Sequence, residues 1–237
     1  MAIAAVVFVG AMAYLGFIAF KYWGDSSRYD EIADAAFDDA GVEGGLADMA
    51  VDWEALRAIN PQVVAWVYVP GTPISYPVCW AEGDNQRYLD MNFDGAAGIF
   101  TGSGPIFLDG EASPDFSGAC NFLFGHHMKD GSMFACLSGF SDAGEFEAHR
   151  LVYVLTPQMN FEYRSFALVR TVGSDFLVTH AFADDAERVD YVADKESRSL
   201  VEPSEGFPDP AAAGQLLALF TCDYAEENGR AILFCLL

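Results

Sequence analysis

Five cysteines, at positions 79, 120, 136, 222 and 235, carry the widest chemical repertoire in this chain. An odd number cannot all pair within one chain, and no two stand in the Cys-x-x-Cys spacing of a metal or redox site. In a chain of 237 residues they do not read as a disulfide framework. At least one thiol is therefore free unless it pairs between chains. Cys222 has the most suggestive surroundings. It ends the apolar run 215–222, and Arg230 opens the next run, 230–237. The intervening DYAEENG carries turn chemistry at Asn228-Gly229. If the runs pair as an antiparallel hairpin, Cys222 and Arg230 face each other across its open end. A guanidinium beside a thiol favours the thiolate. Its planar fork can also donate to a carbonyl oxygen that is gaining charge.

Acyl transfer needs a proton carrier as well, and the histidines are at 126, 127, 149 and 180. Two of them lie in FLFGHHMKDGSMF, directly after a strand-like run. Gly125 before them allows an unusual turn or a close backbone approach. A histidine at that strand end can meet the Cys222 end of another strand. Cysteine as nucleophile, histidine as acid and arginine as oxyanion donor would form an acyl-transfer site. Each residue also has a plainer reading. A lone buried cysteine packs, a His-His pair decorates a loop, and a hairpin arginine is solvated.

The elements that must position these residues follow from the texture of the chain. From residue 63 onward, short apolar runs alternate with turn residues: 63–69, 74–79, 105–108, 121–125, 150–155, 161–172, 215–222 and 230–237. Eight short runs of this kind predict a closed or nearly closed β-barrel. Residues 185–199 are polar and predict a helix inserted before the last two strands. Ahead of the barrel, residues 28–40 place Tyr29, Ile32, Ala33, Ala36 and Phe37 on one helical face, with a break at Gly44-Gly45. Asp52 caps a shorter helix that Asn60-Pro61 stops. Ala2 to Phe20 carry no charge, close to the roughly 20 residues that span a bilayer, and Lys21, Tyr22 and Trp23 suit an interface. The expected organisation is a transmembrane anchor at 1–24, a helical spacer or extension at 25–59 and a β-barrel domain at 60–237.

The charge balance excludes some functions. With 35 acidic and 12 basic residues the formal net charge is −23. Such a surface repels phosphate backbones, so no nucleic-acid partner is expected. A hydrophobic content of 52% excludes a disordered chain.

Several segments, in order, carry a resemblance. NPQVVAWVYVPGTPISYPV, DNQRYL (84–89), GPIFLD (104–109), NFLFGHHMKDGSMFACL (121–137) and LFTC (219–222), with Arg230 eight residues on, resemble the sortases, class B most closely, over about residues 59–237. The resemblance implies a mainly β fold with peripheral helices, an eight-stranded sortase-type barrel. It implies Cys222 as nucleophile, His126 as general acid and base, because the family's histidine directly follows this glycine, and Arg230 as donor to substrate and oxyanion. By the same resemblance, Asn85, Leu89, Phe124, Phe220 and Thr221 belong to substrate binding. The implied reaction cleaves a C-terminal sorting signal of a surface protein and passes it to an amine of a peptidoglycan precursor or a pilin. No metal or organic cofactor is implied. The implied location is the cell membrane, single-pass, with the catalytic domain outside.

The chain departs from the family's T-L-x-T-C in reading Ala218-Leu219-Phe220-Thr221-Cys222, and Phe124 replaces the usual tyrosine before Gly-His. These departures bear on which signal is preferred. Asp223, next to the nucleophile, is expected either to orient neighbours or to sit in a solvated turn. The rivals to transpeptidation are a cysteine hydrolase, a non-catalytic binding module and a redox protein using Cys120, Cys136 or Cys235. The lack of Cys-x-x-Cys argues against the last.

Overall fold

The computed structural model describes residues 2–37, 49–89, 91–95, 104–174, 178–225 and 227–237, and the side chains of 2–6 and 18–27 are not described. Eight strands form: β1 Val63–Tyr68, β2 Ser75–Cys79, β3 Ile106–Leu108, β4 Cys120–Phe124, β5 Leu151–Leu155, β6 Asn160–Val172, β7 Leu216–Asp223 and β8 Gly229–Leu236. They close into a barrel in the order β1-β2-β3-β4-β7-β8-β6-β5. Closure leaves no free sheet edge. The pairs β2–β3 and β4–β7 are parallel, and the other neighbours are antiparallel.

Alternation along β7 divides two packing layers. Leu217 and Leu219 point into the barrel with Leu123, Leu168 and Leu233. Leu216 and Ala218 point outward with Phe122, Phe166, Ile232 and Phe234. The outward layer is roofed by helix α4, Asp185–Ser197, whose N-cap Asp184 accepts from the Glu187 N–H. Val192 of α4 is fully buried in that layer. Tyr191 sets its ring edge-on to Phe234 at 6.2 Å, with Lys195 Nζ 4.2 Å from the Tyr191 ring centre. A polar-looking segment thus earns its place through a few residues on one face. A short helix, α3 at Ala143–Ala148, precedes β5. It is too short for its periodicity to stand out in the sequence.

The N-terminal helices dock on the barrel. Helix α1 runs Ala2–Ala36 without interruption, so the division expected at residue 24 is not a break in the helix. No proline interrupts it, and isolated glycines cost only about 1 kcal/mol each in a helix. Its last turns bury Ile32, set Tyr29 edge-on to Tyr76 at 5.5 Å and set Phe37 edge-on to Trp66 at 5.1 Å. Helix α2, Trp53–Ile59, starts where Asp52 accepts from the Glu54 and Ala55 N–H groups. The break expected at Gly44-Gly45 lies outside the described residues. Among the described residues no helix is long and apolar enough to cross a membrane. Within the apolar stretch of α1, the side chains described are those of residues 7–17, all exposed.

Leu233 sits at the centre of the interior, paired with Leu219 on one side and Leu168 on the other, and all three are at most 1% exposed. Leu233→Ala should lower stability by about 2–5 kcal/mol, the transfer loss plus the cavity left behind. Urea unfolding followed by tryptophan fluorescence measures this; a loss below about 1 kcal/mol would mean that the barrel interior collapses around the vacancy.

Candidate active site

Two registers converge on the end of β7. In the antiparallel β7–β8 pair, Cys222 lies directly opposite Arg230. In the parallel β4–β7 pair, Phe124 lies opposite Phe220. Phe124 is the last paired residue of β4, and His126 follows two residues on, past Gly125, whose N–H still donates to the Phe220 carbonyl. The β7–β8 loop turns through Asn228, whose φ of 56° is left-handed, a conformation asparagine tolerates. Near the site, close approach requires glycine at two positions. A Cβ at Gly125 would stand 2.5 Å from Ile106 Cδ1 and 2.6 Å from Phe134 Cδ2. A Cβ at Gly104 would stand 2.2 Å from the Tyr88 carbonyl oxygen and 3.1 Å from His126 Nε2. The His126 ring therefore lies against bare backbone at Gly104.

Cys222 and Arg230 emerge at the end of the outward apolar layer. Phe124 and Phe220 meet edge-on at 5.1 Å, and the Arg230 guanidinium lies 5.9 Å from the Phe220 ring centre. The guanidinium also donates to the Asn228 and Gly229 carbonyls at 3.1 and 2.8 Å. These bonds hold the fork at the strand end rather than letting it sweep through solvent.

The other expected substrate residues are placed differently. Thr221 points into the barrel and is fully buried, because alternation turns it away from the face that carries Phe220 and Cys222. Its side chain is therefore not on a groove surface. Ala218 is also fully buried, beneath the outward layer. Asn85 is engaged within the fold: it donates to Asp109 Oδ2 at 3.0 Å and accepts from the Gly110 N–H at 2.7 Å. Leu89 is 40% exposed at the end of a short 3-10 turn.

Asp223 is not a solvated turn residue. It is 5% exposed and its Oδ2 accepts from Arg170 Nε at 2.5 Å. Burial alone would raise its carboxyl pKa. The Ala225 N–H and the Arg170 guanidinium outweigh that and hold it below the usual range. The pairing depends on β6, more than fifty residues away in sequence, so local pattern carries no sign of it. His149 binds the Pro70 carbonyl at 2.9 Å, and His180 lies 3.4 Å from Asp109. Neither belongs to the Cys222 neighbourhood by register. His127 does. Its Nδ1 is 2.8 Å from the Cys222 carbonyl oxygen.

All five cysteines are free thiols. Burial pushes Cys79 and Cys235 far up, Cys120 up to about 12 and Cys136 up to about 11. Cys222 is the partly exposed thiol at a strand end. Among the described residues, no cluster of His, Cys, Asp or Glu is placed to hold a metal ion.

Comparison with known proteins bears on this arrangement. No family model matches the chain. Sortase B of Listeria monocytogenes is 27% identical over 81% of this chain and 75% of its own length. One crystal structure of Bacillus anthracis sortase B is 30% identical, with a TM-score of 0.67, over 77% of this chain and 80% of that one. This chain belongs to the class B sortases. A second structure of the B. anthracis enzyme matches 92% of this chain and 98% of its own, at 26% identity and a TM-score of 0.76. The sortase is accordingly a cysteine transpeptidase, and its closed eight-stranded barrel with peripheral helices is the class B fold.

The burial pattern predicts selective labelling. A thiol reagent applied to the native sortase at pH 8 should modify Cys222 first, leaving Cys79, Cys120 and Cys235 until the protein unfolds. Peptide mapping by mass spectrometry reads this directly; early modification of Cys79, Cys120 or Cys235 would contradict the packing described above.

Proposed function

We propose that Cys222 is the nucleophile of this sortase, His126 its general acid and base, and Arg230 its oxyanion donor. One observation carries the assignment. Cys222 and Arg230 are cross-strand partners at the end of the β7–β8 hairpin, and His126 follows the end of β4, which pairs with β7 as far as Phe124–Phe220. The Cys222 thiolate attacks a backbone carbonyl in the C-terminal sorting signal of a surface protein. Negative charge then develops on the carbonyl oxygen, and the Arg230 fork donates to it. A single donor of this kind is worth about 3 kcal/mol. His126 protonates the departing amine, which leaves a thioacyl enzyme. An amine of a peptidoglycan precursor or a pilin attacks the thioester, and Cys222 leaves as thiolate. His126 accepts the proton that the amine loses. Each proton taken in one half-reaction is returned in the other, and no cofactor enters the balance.

Phe124, Phe220 and exposed Leu89 are the side chains we assign to the peptide groove. Phe124 and Phe220 form an apolar wall beside the nucleophile. Wide aromatic surfaces here favour a signal with an apolar residue near the scissile bond.

We also propose that α1 tethers the enzyme to the cell membrane, with the barrel outside. Ala2 to Phe20 carry no charge, and Val7, Phe8, Val9, Met12, Tyr14, Leu15 and Phe17 lie exposed along the helix. A helix of this kind is costly to leave in water. On this reading residues 1–24 are the anchor, 25–59 an extension that packs on the barrel, and 60–237 the catalytic domain.

A peptide-library cleavage screen, with mass spectrometry of the thioacyl enzyme, tests the reaction. Adding an amine should divert product from acid to amide; unchanged hydrolysis would favour a peptidase instead. Cys222→Ala should abolish cleavage while leaving the fold intact, and turnover by that variant would sink the nucleophile assignment. Arg230→Lys should lower kcat on the order of 100-fold, since a point charge cannot replace a planar fork. Wild-type turnover by this variant would remove Arg230 from the oxyanion role.

A further inference from the structure

After Gly125 the chain leaves the sheet, and the ladder that joins β4 to β7 continues in an unusual way. The Gly125 N–H donates to the Phe220 carbonyl at 3.0 Å. In a parallel ladder the next donor lies two residues on, at 127, and the next acceptor is the carbonyl of Cys222. That carbonyl receives a side chain here. His127 Nδ1 lies 2.8 Å from it. A carbonyl can only accept, so Nδ1 carries a proton. The ring is held from other sides as well. Its centre is 4.8 Å from that of Tyr224, at 67°, and the Tyr224 hydroxyl donates to the His127 carbonyl at 3.3 Å. Ser138 Oγ lies 3.4 Å from Nδ1, and His127 pairs with Met133 across the loop.

We propose that His127 is a positioning residue for the nucleophile: its Nδ1–H forms the last rung of the β4–β7 ladder on the carbonyl of Cys222. The inference rests on reading Cys222 as the nucleophile. The peptide that follows Cys222 is otherwise held by the pairing with β8 and through the Asp223 carboxylate that Arg170 binds. Without the rung it can rotate, and rotation about ψ of Cys222 shifts the thiol relative to Arg230 and His126. A displacement of about 1 Å from reacting geometry can cost on the order of 100-fold in rate. The two adjacent histidines thus divide the labour. On this reading His126 exchanges protons, and His127 fixes the backbone that carries the thiol. Asp223, clamped by Arg170 on the next residue, holds the same strand end from the barrel interior.

The test compares His127→Leu, His127→Asn and His127→Gln, using the peptide cleaved fastest by wild type in the library screen. An asparagine amide reaches the place of Nδ1 and can donate to the carbonyl; a glutamine amide reaches the place of Nε2 instead. His127→Leu should lower kcat on the order of 10- to 100-fold with KM changed less than about threefold. His127→Asn should recover most of the loss and His127→Gln should not. Should His127→Leu fail to fold, the Asn–Gln comparison carries the test alone. Wild-type kcat in the Leu or Gln variant, or Asn no better than Gln, overturns the proposal. The rate at which iodoacetamide alkylates Cys222 is read in parallel, because it needs no peptide turnover. If no peptide is cleaved by wild type but alkylation still falls in Gln and recovers in Asn, the positioning role stands and the transpeptidase reading of the site fails.

Discussion

The parallel pairing of β4 with β7 is the constraint on which the rest of this protein depends. It matches five residue pairs, from Cys120 with Leu216 to Phe124 with Phe220. Parallel neighbours cannot be joined by a tight turn, so a long crossover must connect them. Here the crossover contains α3, β5, β6 and α4. The crossover is itself part of the fold: β5 and β6 close the barrel against β1 and β8, and α4 roofs its outer layer. One pairing thus sets the position of the histidine segment and the need for most of the remaining structure.

That arrangement also explains why the chemistry sits at strand ends. Interior side chains such as Leu219, Leu233 and Thr221 are buried at high density, where a nucleophile would be inert and a substrate could not enter. The outward layer is sealed by α4 along most of its length and opens near Phe124 and Phe220. Cys222 and Arg230 are the next outward positions along β7 and β8. Four other thiols lie where burial keeps them protonated. The inner core covers Cys79 and Cys235, the layer under α4 covers Cys120, and Cys222 is partly exposed at the end of the apolar strip.

Polar groups at this end are tied to distant elements. Asp223 binds Arg170 of β6, Arg230 binds the carbonyls of its own turn, and His127 reaches the carbonyl of Cys222. A strand terminus with free carbonyls would fray toward water. These ties give Cys222 a rigid base, which is what a reaction with demanding geometry would require.

Much of this was legible in the sequence. Eight apolar runs between turn residues gave the strand count, the polar segment at 185–199 marked the inserted helix, and Asp52 marked a helix start. The hairpin that faces Cys222 with Arg230 followed from the spacing of two apolar runs and an Asn-Gly turn. These features are local, and local physics decides them. Other features needed the folded chain. The resemblance put Thr221 in substrate binding, yet alternation turns its side chain into the barrel, away from the face of Cys222. Whether Asp223 orients neighbours or sits in a solvated turn was open in the sequence, because its partner Arg170 is on β6. Asn85, assigned to substrate binding by the resemblance, is engaged by Asp109 and Gly110, which are far from it in sequence. The bond from His127 to the Cys222 carbonyl depends on where β4 leaves the sheet. By itself the sequence determined which residue types could do the chemistry and the elements that carry them. Only the tertiary structure decided which side chains share a face, because parallel register and barrel closure join segments that have no local reason to meet.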